Sequence, residues 1–147
     1  MKARYAMLVA SAVTASLIGF ASPAQALPYD GADPVASGCA NTAVTARHTW
    51  MALNGYVAGR IDLRYSTACR TVWARVVNFK RDGGGAKVAR QTGPDAAASC
   101  TVSQYSSSLG GYYCYTEMLD DAGYVSTAAG WVVDPSGSKW YASTTAY

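Results

Sequence analysis

The sequence predicts an all-β fold, a small antiparallel β-barrel or β-sandwich with two disulfides, and three observations predict it. Turn dipeptides recur along the chain: Asp30-Gly31, Asn54-Gly55, Asp82-Gly83, Gly110-Gly111 and the Asp-Pro-Ser-Gly run at residues 134–137. Asn-Gly and Asp-Gly suit the positive φ angles of tight hairpins. The runs between these turns are short and rich in Val, Thr, Tyr and Trp, which pack well on a pleated surface. Finally, the four cysteines, Cys39, Cys69, Cys100 and Cys114, are even in number and widely spaced, as in a disulfide frame.

Residues 1–26 read as a secretory signal. Lys2 and Arg4 form a positive start, residues 6–20 carry no charge, and Ala24-Gln25-Ala26 places small residues at a cleavage site. The apolar run is shorter than the roughly 20 residues that span a bilayer. Cleavage after Ala26 is expected, leaving a single secreted domain over residues 27–147 with ten basic and nine acidic side chains. That balance supplies no bulk attraction to nucleic acid or to an anionic membrane. No second apolar stretch is long enough to span, and a released, monomeric product is expected.

The clearest strand is residues 57–65. Val57, Gly59, Ile61, Leu63 and Tyr65 fall on one face, and Ala58, Arg60, Asp62 and Arg64 on the other. Residues 44–50 alternate in the same way. Residues 71–79, 111–118, 124–133 and 139–145 also read as extended. A short helix is expected near residues 95–98. Residues 83–85 and 106–108, runs of Gly and Ser, read as mobile loop tips.

Three pairings of four cysteines are possible. Cys39 with Cys69 and Cys100 with Cys114 is favoured, the second pair closing a hairpin around residues 106–108. A zinc site would favour close pairs such as Cys-x-x-Cys, and none is present. Neither a metal nor another cofactor is expected.

The string LRYSTACRTVWARV at residues 63–76 resembles the hallmark of the YjfA-like family, exported proteins of Gram-positive bacteria without an assigned function. The opening YDGADPVASGCANTAVT at 29–45 and the segment YCYTEMLDDAGYVSTAAG at 113–130 are similar to other parts of that family. The resemblance covers most of the chain except residues 79–109. It implies an extracytoplasmic module, better suited to binding or sensing than to catalysis.

The hallmark gathers Arg64, Tyr65, Arg70, Trp73 and Arg75 about a turn at residues 66–68. A bridge from Cys39 to Cys69 would bring Asp30 and Asp33 towards Arg64, Arg70 or Arg75. Guanidinium groups and aromatic rings form a recognition patch for carboxylate or phosphate, or internal ion pairs around a buried Trp73. The internal reading is favoured for Arg64 and Arg75, with Arg70 the best placed for a ligand.

Catalytic inventory is poor. His48 is the only histidine and shares a face with Val44, Ala46 and Trp50, so a packed structural role is expected. Glu117 is the only glutamate. A small hydrolase or ribonuclease could be assembled from Glu117, His48 and an arginine, but no spacing supports it. Asp120 and Asp121 would diverge on a strand. No Gly-x-Ser-x-Gly elbow occurs, and Gly83-Gly84-Gly85-Ala86-Lys87 is not a phosphate loop. Trp131 and Trp140 flank the turn at 134–137 and read as a cross-strand pair. The sequence therefore favours a non-catalytic module for an extracellular ligand or envelope component. A secreted protease inhibitor presenting residues 82–98 is the alternative.

Overall fold

A computed structural model describes residues 27–147, so the signal and its cleavage site lie outside the described residues. Ten strands follow a short 3-10 turn at Cys39–Thr42: β1 Ala43–Leu53, β2 Tyr56–Ser66, β3 Thr71–Asn78, β4 Gly84–Arg90, β5 Ala97–Thr101, β6 Gln104–Ser106, β7 Gly111–Tyr115, β8 Leu119–Asp120, β9 Ser126–Val133 and β10 Lys139–Ser143. All pairings are antiparallel. The first sheet runs β1-β2-β3-β7-β6, with β8 also on β3, and the second runs β10-β9-β4-β5. The chain is thus all-β, and the sheets stack as a sandwich without closing into a barrel.

Period-two alternation decides what lies between the sheets. Ile61, Leu63, Val72, Ala74 and Val76 from the first sheet meet Val88, Ala128 and Val132 from the second, all fully buried. Gly130 permits the close approach: a Cβ there would stand 2.9 Å from Ile61 Cδ1. A second cluster lies on the outer side of the first sheet, where Cys39, Trp73 and Met118 are buried beneath residues 29–43. The arm thereby keeps from water the apolar Trp73 that the first sheet turns outward.

Both bridges tie sequence-distant parts. Cys39–Cys69 anchors the N-terminal arm to the β2–β3 turn, and Cys100–Cys114 joins β5 of one sheet to β7 of the other. At the β1–β2 hairpin Asn54 and Gly55 take φ of 50° and 81°, as the dipeptide requires.

Residues 79–110 depart most from expectation. The anticipated helix at 95–98 is replaced by the start of β5, because alanines that favour a helix in isolation instead pair with β4 and lead into the bridged Cys100. Of the Gly run, only Gly83 precedes a strand; Gly84 and Gly85 begin β4, an interior strand of its sheet. Residues 84–90 are therefore not a loop that could be presented to a protease.

Trp131 and Trp140 do not pair. Trp140 lies beside Val132 and packs towards the core, its indole N–H donating to Asp134 at 3.0 Å. Trp131 lies beside Tyr141 on the outer face. An offset of one residue in register sends the two rings to opposite faces.

Candidate functional site

The hallmark residues divide between two faces and a turn. Tyr65 points inward against the core, its ring 5.2 Å from that of Tyr147. Arg70 sits exposed in the β2–β3 turn at φ 56°. Arg64, Trp73 and Arg75 share the outer face of the first sheet with Arg60 and Asp62, as their alternation requires.

Asp62 organises this face. It is fully buried and lies opposite Arg75 in the β2–β3 register. Arg75 donates from Nε and Nη2 to Asp62 Oδ2 at 3.0 and 2.7 Å. Arg60 donates from Nη2 to the same oxygen at 3.1 Å, and its Nε stands 2.7 Å from Oδ1 without the alignment of a hydrogen bond. Arg60 also lies over the Trp50 ring, 5.1 Å from its centroid. A buried carboxylate is tolerated because two guanidinium groups compensate it.

Arg64 is the third cation here and has no carboxylate partner among the described residues. Its Nη1 donates to Thr45 Oγ1 at 2.6 Å and its Nη2 to the Ala43 carbonyl at 3.0 Å. Burial pulls its pKa below the ordinary arginine value. Arg75 and Arg60 act in the same direction, against an opposing pull from Asp62. The environment thus disfavours the Arg64 cation and would be relieved by an added negative charge.

Arg64, Trp73 and Arg75 line a groove of about 340 Å³. The arm at Pro34 and Val35 forms one wall, and Ser106, Ser108 and Leu109 of the β6–β7 hairpin form the other. Tyr113 and Tyr115 stand in it with rings 6.5 Å apart. Burial pushes the Tyr115 phenol up, and the negative charge of Asp33 adds to that, so its hydroxyl stays protonated. Arg64 Nε and Arg75 Nη1 find no protein acceptor among the described residues and remain open to solvent. The groove therefore offers two free guanidinium donors, while the Tyr113 phenol is committed to Gln104 and the Ser106 and Ser108 hydroxyls to one another.

The expected partnership of Asp30 and Asp33 with these arginines does not form. Asp30 pairs with buried Arg90, which also donates to the Asp120 and Pro94 carbonyls. Asp33 caps its own turn, accepting from the Val35 and Ala36 amides at 2.7 and 2.8 Å. The arm crosses the sheet with Asp30 directed towards β4 and β8, so the bridge to Cys69 does not deliver it to the hallmark arginines. Asp62, on the same strand as Arg64, supplies the carboxylate instead. Its signal was present in the sequence as one acid between Arg60 and Arg64, but the partner strand's register was needed to read it.

His48 is exposed rather than packed, with its ring edge-on to Trp50 at 6.0 Å. It belongs to an edge strand whose outer face the arm leaves uncovered. His48, Asp62, Arg75 and Tyr115 form one row across the sheet. Three strand spacings, about 14 Å, thus separate His48 from Tyr115. Glu117 lies farther along, exposed beside Gly31. Histidine and glutamate are not brought together. Among the described residues no group of three or more His, Cys, Asp or Glu could hold a metal ion, and no helix is long and apolar enough to cross a membrane.

A family model described as "Protein of unknown function (DUF2690)" matches residues 27–129. That segment contains every residue of the groove. No curated protein and no solved structure matches the chain.

Proposed function

This chain belongs to the DUF2690 family, and from that premise we propose that it is an exported, non-catalytic binding module whose groove takes an anionic group. The observation that carries this reading is the charge count on the outer face. Arg60, Arg64 and Arg75 surround one carboxylate, Asp62, and Arg64 is partly desolvated with no acid of its own. Planar guanidinium forks match carboxylate and phosphate oxygens, and Arg64 and Arg75 line the same cleft. Asp62 holds Arg75 in place, so little side-chain freedom is left to lose on binding.

Secretion is part of the proposal. It is supported by the signal-like residues 1–26 and by two disulfides, which suit an oxidising compartment. The assignment to the YjfA-like exported proteins of Gram-positive bacteria is likewise part of it, supported by residues 63–76. The ligand class is then an extracellular or envelope component bearing carboxylate or phosphate.

The test is a two-dimensional NMR titration of the purified protein with inorganic phosphate and with citrate, following the arginine Nε–Hε signals. We expect saturable shifts of Arg64 and Arg75, with the Arg75 shift lost in Arg64→Gln. Shifts that never saturate, or that sodium chloride reproduces at equal ionic strength, would remove the groove as an anion site.

A further inference from the structure

The opposite face of the sandwich carries a second feature, independent of the groove. On the outer side of the second sheet, Trp131 and Tyr141 are direct neighbours on β9 and β10, and Gly85 lies across from Trp131 on β4. A Cβ on Gly85 would stand 3.1 Å from Trp131 Nε1 and 3.5 Å from Cε2. The indole therefore extends over the glycine instead of standing off the sheet. Tyr141 is 69 % exposed. The two rings border an open groove of about 470 Å³, floored by Gly85 and Ala129. Trp131 and Tyr141 do not stack on one another, and neither ring's polar atom has a hydrogen-bond partner among the described residues.

The charges on this face are of one sign. Lys139 holds its ammonium 5.0 Å from the Trp131 ring centroid, and Lys87 lines the groove beyond Ala129. The strand residues pointing outward here are Gly, Ala, Ser, Thr, Val, Lys, Trp and Tyr, with no carboxylate. A second copy related by a two-fold axis would bring lysines towards lysines with no acid to pair. An apolar peptide would leave the indole N–H, the phenol and two ammonium groups unanswered.

We infer that this face binds an acidic glycan, a sugar ring lying between Trp131 and Tyr141 with its carboxylate towards Lys139 or Lys87. A pyranose ring has an apolar C–H face that packs on aromatic rings, while its hydroxyls accept from the Trp131 and Tyr141 donors. The carboxylate answers the unpaired lysines. Trp131, Lys139 and Tyr141 all lie beyond residue 129, outside the segment that the family model matches.

The experiment measures binding of oligogalacturonate to the purified protein by tryptophan fluorescence and by affinity electrophoresis. Polyglutamate and dextran serve as the carboxylate-only and sugar-only probes. We expect saturable quenching and retardation with oligogalacturonate. Trp131→Ala and Tyr141→Ala should each weaken binding by about tenfold, and Lys139→Gln by less. Polyglutamate and dextran should each bind at least about tenfold more weakly than oligogalacturonate. Trp131→Ala and Tyr141→Ala should leave the citrate-induced shifts of Arg64 and Arg75 unchanged, which separates this face from the groove. Tyr141 is too exposed for its removal to unfold the chain, so it decides the matter if Trp131→Ala is unstable. Absence of binding, equal binding of polyglutamate or dextran, or full binding by Tyr141→Ala would each overturn the inference.

Discussion

The two outer faces of this sandwich are built on opposite plans. The first sheet turns charge outward, with Arg60, Asp62, Arg64 and Arg75 on adjacent strands, and a disulfide-anchored arm closes over part of it. The second turns Gly, Ala, Ser, Thr and Val outward, with one tryptophan, one tyrosine and two lysines, and no described segment folds over it. A sheet face that carries a buried acid must be neutralised by neighbours and is stiffened by them. A face of small residues has no such requirement, and its large side chains are left at the surface. Mutations on the first face should therefore act mainly through stability, whereas on the second they should leave folding almost unchanged.

The largest expected effect is at Asp62. Asp62→Ala leaves Arg60 and Arg75 facing one another without their carboxylate, and a loss of about 3 to 5 kcal/mol is expected. Arg75→Ala should cost less, because Arg60 still compensates Asp62, and Arg70→Ala in the exposed turn should stay within about 0.5 kcal/mol. Urea unfolding of the three variants gives the order. A neutral Asp62→Ala would mean that this face is not held together by its charges.

The two tryptophans sharpen the contrast. Trp73 is 4 % exposed beneath the arm, and Trp73→Ala is expected to cost about 3 to 5 kcal/mol. Trp131→Ala should cost under about 1 kcal/mol. Thermal melts compare them directly, and similar losses at both positions would erase the distinction between a covered face and a bare one.

The smallest effect is a pH dependence at the β9–β10 turn behind the second face. The Ser136 hydroxyl, the Trp140 indole and the Ser138 and Ser136 amides all donate to Asp134, and they hold its pKa below the ordinary carboxylate value. Its stabilising contribution is thus present above the unfolded-state value of about 3.9 and is lost as pH falls through the lower folded value. Asp134→Asn should melt below the parent at neutral pH and converge with it in strong acid. A constant gap across the titration would show that the carboxylate's charge is not what the turn uses.

Much of the architecture was legible because local chemistry is read locally. Asn54-Gly55 makes a tight hairpin whatever surrounds it. Residues 57–65 alternate because one side faces apolar residues and the other does not. The cysteine count and spacing pointed to the two bridges that the structure contains. The string at residues 63–76 lies inside the segment that the model of the DUF2690 family, of unknown function, matches. What was misread shares one cause. Gly84-Gly85 looked like a loop because glycine opposes a strand in isolation. Yet a Cβ on Gly84 would lie 2.6 Å from the Trp131 carbonyl oxygen, so only glycine fits that strand.

By itself the sequence determined the all-β class, an even set of four cysteines, and a single histidine and glutamate, since each follows from residue types and their periodicity; which cysteines pair, and a sandwich over a barrel, came from the tertiary structure. Only the tertiary structure decided which charges meet. Asp62 serves Arg60 and Arg75 because antiparallel register sets Asp62 opposite Arg75, while Asp30 is drawn away to Arg90. Only the tertiary structure placed Trp140 inside and Trp131 outside. Pairing register has a period of two, and no local signal says which parity will face the core until a second sheet is there to cover it.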